Sequence, residues 1–402
     1  MRICLTGVTG LLGSNFLAEC IKRNLDSLDN LELIILGRMR GQVPLKKRIM
    51  QTILGRDGLA YLQVSDSQKG FLELFLERQV VYLDYTLEDE RCGVSAESLR
   101  LLRQKHVDFF FHIASLTDFR SSTNVQIALN QVNCIGTRNI LQLLDDMSVG
   151  EFVYVGSAYS CGLAQGIILP NHVNFSAKFR NPYEKTKLMA EEYVREYCAT
   201  KKLRLRVFRP STICGRLMEE PFGSVTKFDV FYSWVAWFMR LKMKAGIHLD
   251  KIYETPLDLP VRIACREDAG LNIVPADFAA KAMYKITIGR ASCDSCYLVN
   301  DAETPHRDYV SWMIEFLNIK GTTFVNKVPE DARNDYELFY YKTIGQIFTP
   351  YVISEPMLFD TSNISSELSR DGLLCPRIDK TNFFKLLSFA KEASFGLKSS
   401  CK

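Results

Sequence analysis

The chain has 402 residues, of which 47% are hydrophobic and 24% charged, with a formal net charge of +4. That length buries a large core, and the composition is that of a globular protein, not a fibrous or disordered one. So small a net charge argues against a general nucleic-acid binder, while it suits a small anionic partner. Along the chain, residues 2–6 read as a short apolar strand, and the turn at 7–13 leads into a helix to about Leu25. Residues 31–36 form a second strand with a continuous apolar run, as a strand covered on both faces should have. Residues 79–83 and 107–113 are the third and fourth strands. A helix at 125–144 precedes a fifth strand at 151–155, and a helix through Tyr183 and Ala199 precedes a sixth at 204–208. Strands alternating with helices predict an α/β fold, a Rossmann-type doubly wound parallel sheet. Beyond Pro210 the pattern loosens. Residues 216–270 are rich in aromatics and methionines, 271–286 read as a return to the sheet with another helix, and 304–402 are mostly helical in pattern. The expected division is a Rossmann-type domain over 1–215, rejoined by 271–290. A smaller, mostly helical substrate-binding lobe from 216–270 and 291–402 is interleaved with it.

The first turn reads Thr6-Gly7-Val8-Thr9-Gly10-Leu11-Leu12-Gly13. Glycines between a strand and a helix let the backbone approach a pyrophosphate, and the helix N-terminus offers it unpaired N–H groups and a partial positive charge. Gly7, Gly10 and Gly13 take these roles, with Gly13 permitting close helix–strand packing. An acid at the end of the second strand would bind a ribose 2′-hydroxyl, whereas arginine accommodates a 2′-phosphate. Here the strand ends Leu36-Gly37-Arg38-Met39-Arg40, which favours NADPH over NADH. Asp84, just past the third strand, is placed either to touch the adenine or to sit on the surface.

Tyr183 and Lys187 are four residues apart, hence on one helix face. A lysine ammonium beside a phenol favours the phenolate and lowers its pKa, so the pair is expected to act as acid and base on a carbonyl. A bare Tyr-x-x-x-Lys also occurs on exposed helix faces. Ser157, at the end of the fifth strand, strengthens the functional reading, because its hydroxyl can align the same carbonyl oxygen. Lys187 can also hold the nicotinamide ribose. Asn133 lies on the preceding helix, where a proton-relay role and a structural one are both open.

Taken together these motifs resemble the extended branch of the short-chain dehydrogenase/reductase superfamily. Five match in order: the glycine turn; His112-Ile113-Ala114-Ser115; Asn133-x-x-Gly136-Thr137; Ser157 with Tyr183 and Lys187; and Arg209-Pro210-Ser211. The likeness returns at Val274-Pro275-Ala276-Asp277. Within the superfamily the chain is most similar to fatty acyl-CoA reductases and thioester reductase domains, the male-sterility type of NAD-binding domain. Leu36-Gly37-Arg38 with the basic stretch ending at Arg48, the segment from Val80 through Asp84 to Leu99, and His112 to Phe119 carry that likeness. Two positions depart from it, Ser115 where alanine is usual and Gly156 before Ser157.

The resemblance implies NADPH-dependent reduction of an acyl thioester to an aldehyde or alcohol, with Ser157 and Tyr183 stabilising the oxyanion. It also implies cofactor contacts from Thr6, Thr9, Leu11, Leu12, Arg48, Tyr85, Ala114, Ser115, Pro210, Ser211 and Ile213, besides Tyr183 and Lys187. The partner is then a small acyl thioester on CoA or on an acyl or peptidyl carrier protein, and a homodimer is the superfamily's habit. Two rivals share the scaffold, a sugar-nucleotide epimerase or dehydratase and a hydroxysteroid- or flavonol-like carbonyl reductase. A third is a cofactor-sensing partner protein without turnover.

Phe228, Phe231, Trp234, Val235, Phe238 and Leu241 recur at three- and four-residue spacing. They read either as core or as a wall for an acyl chain. The basic residues Arg240, Lys242 and Lys244 read either as a solvated face or as attraction for a phosphopantetheine arm. The apolar stretch 230–239 is shorter than the roughly 20 residues of a membrane span, so no transmembrane segment is expected. The scattered cysteines, twelve in all, are expected as free thiols of a cytoplasmic protein, and Cys293-x-x-Cys296 lacks the further ligands of a metal site.

Overall fold

A computed structural model describes residues 1–397. Its centre is a parallel sheet of seven strands: β1 (Arg2–Thr6), β2 (Glu32–Gly37), β3 (Val80–Asp84), β4 (His106–His112), β5 (Ser148–Val155), β6 (Arg204–Pro210) and β7 (Ser295–Leu298). They lie in the order β7-β6-β5-β4-β1-β2-β3. The chain winds outward from β1 in both directions, so the order reverses between β1 and β4. A crevice outside the C-terminal strand ends is expected there, because the helices that follow the two strands leave on opposite faces. Thr6 pairs level with His112, which brings the two strand ends together.

The strands form because both faces are covered. Ile3, Leu5 and Phe111 belong to one apolar layer, and Cys4, Phe110 and Phe152 to the other. Successive strand residues point to opposite faces, so an unbroken apolar run fills both layers. On the first face lies α1 (Leu11–Lys22), packed against α4 (Ala276–Ile288). On the second lies α2 (Pro182–Lys201), with Ala190, Val194 and Cys198 in that layer. The buried Asp277 carboxylate of α4 accepts N–H bonds from Leu217, Met218 and Glu219, at 2.7–3.3 Å, which ties the chain leaving β6 back to the Rossmann half.

The structure differs from the sequence expectation at three places. The helix expected at 125–144 contains a π-helical turn at Asn130–Ile135, between α-helical Thr123–Leu129 and Gly136–Leu144. Ile273–Pro275 does not rejoin the main sheet but pairs with Thr212–Cys214 beside it. The seventh strand is Ser295–Leu298, inside the stretch assigned to the second lobe, and it pairs with β6. Four residues with one neighbour suffice for an edge strand, and they leave little periodicity to read.

The second lobe packs around α3 (Phe231–Lys244). Trp234, Val235 and Phe238 are buried there with Tyr309, Met313, Phe383 and Leu386, in one layer that also takes in Tyr159 and Ile168 beyond β5. Lys242 does not join a basic surface, because its buried ammonium donates to the carbonyls of Thr255 and Leu317. Among the described residues no helix is long and apolar enough to cross a membrane, and no group of three or more side chains is arranged to hold a metal ion.

Candidate active site

A cavity of about 900 Å³ opens at the C-terminal ends of β1, β4, β5 and β6. The glycine turn forms its floor. Gly7 has φ +74, and a Cβ there would meet the backbone of Ala114, so only glycine fits. α1 begins at Leu11 with Gly10 as N-cap, no side-chain cap and no acidic residue in its first turn. Its first N–H groups therefore have no side-chain acceptor and face an anion unopposed. A pyrophosphate has both the space and the donors it needs.

At the far end of the turn, Arg38, Arg40 and Arg48 reach the same cavity. Arg48 donates to the Arg38 carbonyl at 2.8 Å. Partial burial, then the charges of Arg40 and Arg38, push its pKa down. Three cations converge here, and the carboxylates that line the cavity are Glu88 and Asp229. Asp84 is exposed and outside the cavity, while its neighbour Tyr85 lines it, because adjacent strand-end residues face opposite sides.

The reacting groups lie on the β5 and β4 side. Ser157 caps the short turn Ala158–Cys161, and its hydroxyl accepts from Tyr159 N–H at 3.2 Å. Tyr183 sits in the first turn of α2, which Asn181 caps by accepting from Glu184 N–H at 3.1 Å. Burial pushes the Tyr183 phenol up, and the neighbouring Thr117 and Ser157 hydroxyls pull it back. Three hydroxyls thus converge at the cavity, which both Thr117 and Ser157 line. Thr117 had no role in the sequence reading. Its only signal was its place in the loop after β4.

Lys187 departs from expectation. Its buried ammonium donates to the Val155 carbonyl at 2.7 Å and stands 4.8 Å from the Tyr154 ring centre, and it does not line the cavity. Burial lowers its pKa to about 8, partly offset by Glu191. The groups that shift Tyr183 are its burial, the Thr117 and Ser157 hydroxyls and Glu184. Asn133 is spent on the frame: its Oδ1 accepts from Leu116 N–H at 2.8 Å, and its Nδ2 donates to the Leu116 carbonyl at 3.0 Å and the Thr186 hydroxyl at 3.2 Å. It therefore holds the loop that carries Thr117. Thr6 is likewise buried and outside the cavity. Its hydroxyl accepts from the N–H groups of Ile113 and Ala114 at 3.1 and 3.2 Å and donates to His112 Nδ1 at 2.9 Å. Thr137 gives its own proton to the Asn133 carbonyl (2.7 Å), so His112 donates to it from Nε2 (3.2 Å). Burial, reinforced by Lys187, keeps that imidazole neutral with a pKa pushed down to about 3.

The other residues expected at the cofactor do line the cavity: Thr9, Gly10, Leu11, Leu12, Gly13, Ala114, Ser115, Pro210, Ser211 and Ile213, besides those named above. Phe119, Tyr159 and Val230 form an apolar wall beside Tyr183, with Phe119 packed edge-on at 5.4 Å from it.

A family model described as male sterility protein matches residues 5–283. UDP-glucose 4-epimerase of Drosophila melanogaster is 29% identical over 148 residues, which is 35% of this chain and 42% of that protein. The probable fatty acyl-CoA reductase 5 of Arabidopsis thaliana is 24% identical over 166 residues, 41% of this chain and 32% of that protein. The chain thus spans less than half the length of either relative. Among solved structures, the terminal R domain from the myxalamid PKS-NRPS biosynthetic pathway superposes with a TM-score of 0.71 at 19% identity, covering 99% of this chain and 92% of that one. At that identity the likeness is one of fold.

Proposed function

The chain belongs to the male sterility protein family of NAD-binding domains, and from that premise we propose that it is an NADPH-dependent reductase of an acyl thioester, giving an aldehyde or an alcohol. The observation that carries this reading is the placing of Tyr183, Ser157 and Thr117 between a dinucleotide turn and an apolar wall. A sugar ring needs polar partners around its hydroxyls. Phe119, Tyr159 and Val230 offer carbon beside Tyr183, which suits an acyl group and disfavours the epimerase alternative.

The turn from Gly7 to Gly13 and the start of α1 would hold the pyrophosphate, and Arg38, Arg40 and Arg48 the 2′-phosphate. When bound, NADPH supplies the hydride that the carbonyl carbon accepts. Ser157 holds the carbonyl oxygen in place and donates a hydrogen bond as negative charge grows there. Tyr183 gives that oxygen its proton, which its raised pKa equips it to carry as a neutral phenol. Return of that proton to Tyr183 lets the carbon–sulfur bond break as the carbonyl re-forms, and the thiolate leaves and takes up a proton from water. An aldehyde remains, and a second round with the same groups gives the alcohol. The thiol is that of CoA or of a carrier protein.

The test is NADPH oxidation with a panel of acyl-CoAs, the product identified by mass spectrometry, in wild type and Tyr183→Phe. Aldehyde or alcohol formed by the wild type and lost in the variant, with NADPH binding retained, supports the proposal. Tightly held NAD with no net cofactor consumption, and interconversion of a UDP-sugar, would replace it with the epimerase reading.

A further inference from the structure

Beside the reacting hydroxyls the cavity gives onto a slot of about 30 Å³. Phe119, Tyr159, Thr212 and Val230 line both spaces, while Trp234 and Phe348 line only the slot. The last two are stacked, with ring centres 5.1 Å apart and planes 5° from parallel. The hydroxyls around the slot are already committed. Tyr159 and Thr212 bond each other at 3.2 Å, and Tyr309 bonds His306 at 3.0 Å. The Tyr351 hydroxyl donates to Glu184 at 2.9 Å and accepts from Asn181 at 2.6 Å. What faces the slot is therefore carbon. Val230 stands at the junction with φ 52 and ψ −124, a conformation that a β-branched residue rarely adopts.

We propose that this slot receives the hydrocarbon end of the acyl group and admits only a short, uncharged one. A dry cavity of about 150 Å³ takes up the six carbons of benzene, so on that scale a slot of about 30 Å³ has room for only one or two carbon atoms. Its walls are rings already packed on one another, so a longer chain finds no free volume without displacing them. A carboxylate at the acyl end finds no counter-charge among the lining residues, and the one polar group among them without a hydrogen-bond partner is the buried Trp234 Nε1–H. This inference rests on the thioester reading and narrows it to short acyl groups, away from the long chains that a resemblance to fatty acyl-CoA reductases suggests.

The experiment is kcat/KM for NADPH oxidation with acetyl-, butanoyl-, hexanoyl-, decanoyl- and hexadecanoyl-CoA. Wild type is expected to prefer butanoyl and to lose roughly tenfold or more at hexadecanoyl, since a rigid pocket discriminates on that scale even for single methylenes. Phe348→Leu lengthens the preferred chain, and Val352→Leu, at a further residue lining the slot, shortens it, each variant checked for folding by thermal unfolding. Equal rates for butanoyl and hexadecanoyl, or one profile shared by all three folded proteins, would overturn the slot. Should no thioester be reduced, the reductase reading falls and the slot is read by calorimetry with S-butyl-CoA and S-dodecyl-CoA in the presence of NADPH. Tighter binding of the butyl thioether, reversed in Phe348→Leu, upholds the slot, and equal or absent binding removes it.

Discussion

Burial holds Tyr183 as a phenol, so it can donate a proton, and the Ser157 and Thr117 hydroxyls limit how far its pKa rises. Removing one donor to a developing oxyanion costs about 10²–10³ in kcat, and Ser157→Ala is expected to fall in that range with little change in KM. Thr117→Val leaves Ser157 in place and loses less. Steady-state kinetics of the two variants checks the order. Lys187 carries a separate prediction. Its pKa is about 8 in the fold against 10.5 ordinarily, so between those values the unfolded chain binds more protons. Stability therefore rises with pH across that window. Below it the buried ammonium costs on the order of 3 kcal/mol. Relative to Lys187→Met, the wild type should gain most of that amount between pH 7 and pH 10 in urea unfolding, and a gap that stays flat would refute it. The four-residue spacing correctly put Tyr183 and Lys187 on one helix. It did not tell where a flexible four-carbon side chain ends, and in low dielectric the ammonium takes the nearest carbonyl, that of Val155.

Elements differ in how plainly they announce themselves. The glycine turn and α1 were legible because a strand, a positive-φ glycine and an uncapped helix start each demand a narrow set of residues. The π-turn at Asn130–Ile135 was not, because the apolar face of the helix continues through it. Its consequence is that Asn133 reaches both backbone groups of Leu116. Asn133→Ala leaves them unpaired in a partly buried place, which costs about 1–3 kcal/mol. It should also lower kcat by displacing Thr117, and denaturation and kinetics on the same variant read the two effects. The arginines from the end of β2 into the helix Leu45–Leu54 were half legible. Arg38 and Arg40 follow a strand end, whereas Arg48 is a full helical turn further on and meets them only in three dimensions. A hydrogen bond to a charged group contributes about 1.5–3 kcal/mol. Arg48→Ala should therefore raise KM for NADPH about tenfold or more and leave KM for NADH nearly unchanged.

At the scale of the molecule the two halves are not separable along the chain. The alternation of strands and helices made the Rossmann half readable as far as β6, but β7 comes after the first parts of the second lobe. Arg206, buried within β6, binds Glu151 at 2.6 Å and the carbonyls of Ala291 and Cys293, so the start of β7 is bolted to the middle of the sheet. Nothing in a four-residue edge strand advertises that bond, because a buried arginine is recognised only when its partners are in place. The second lobe was opaque for a related reason. Its aromatic residues serve at once as core and as the slot wall, and the same spacing encodes both. The family match stops at residue 283, yet a chain cut there would lack β7 and would leave Arg206 with a single buried partner. Trp234 would also lose Tyr309, Tyr340 and Phe348. Exposing large apolar side chains costs about 1.5–3 kcal/mol each, and native stability is only about 5–15 kcal/mol. A chain ending at residue 290 is therefore expected to aggregate or to bind a hydrophobic dye without a cooperative melt, whereas one ending at residue 397 melts in a single transition that NADPH raises. A soluble, cooperatively folded chain of residues 1–290 that binds NADPH would show that the sheet stands without its last strand.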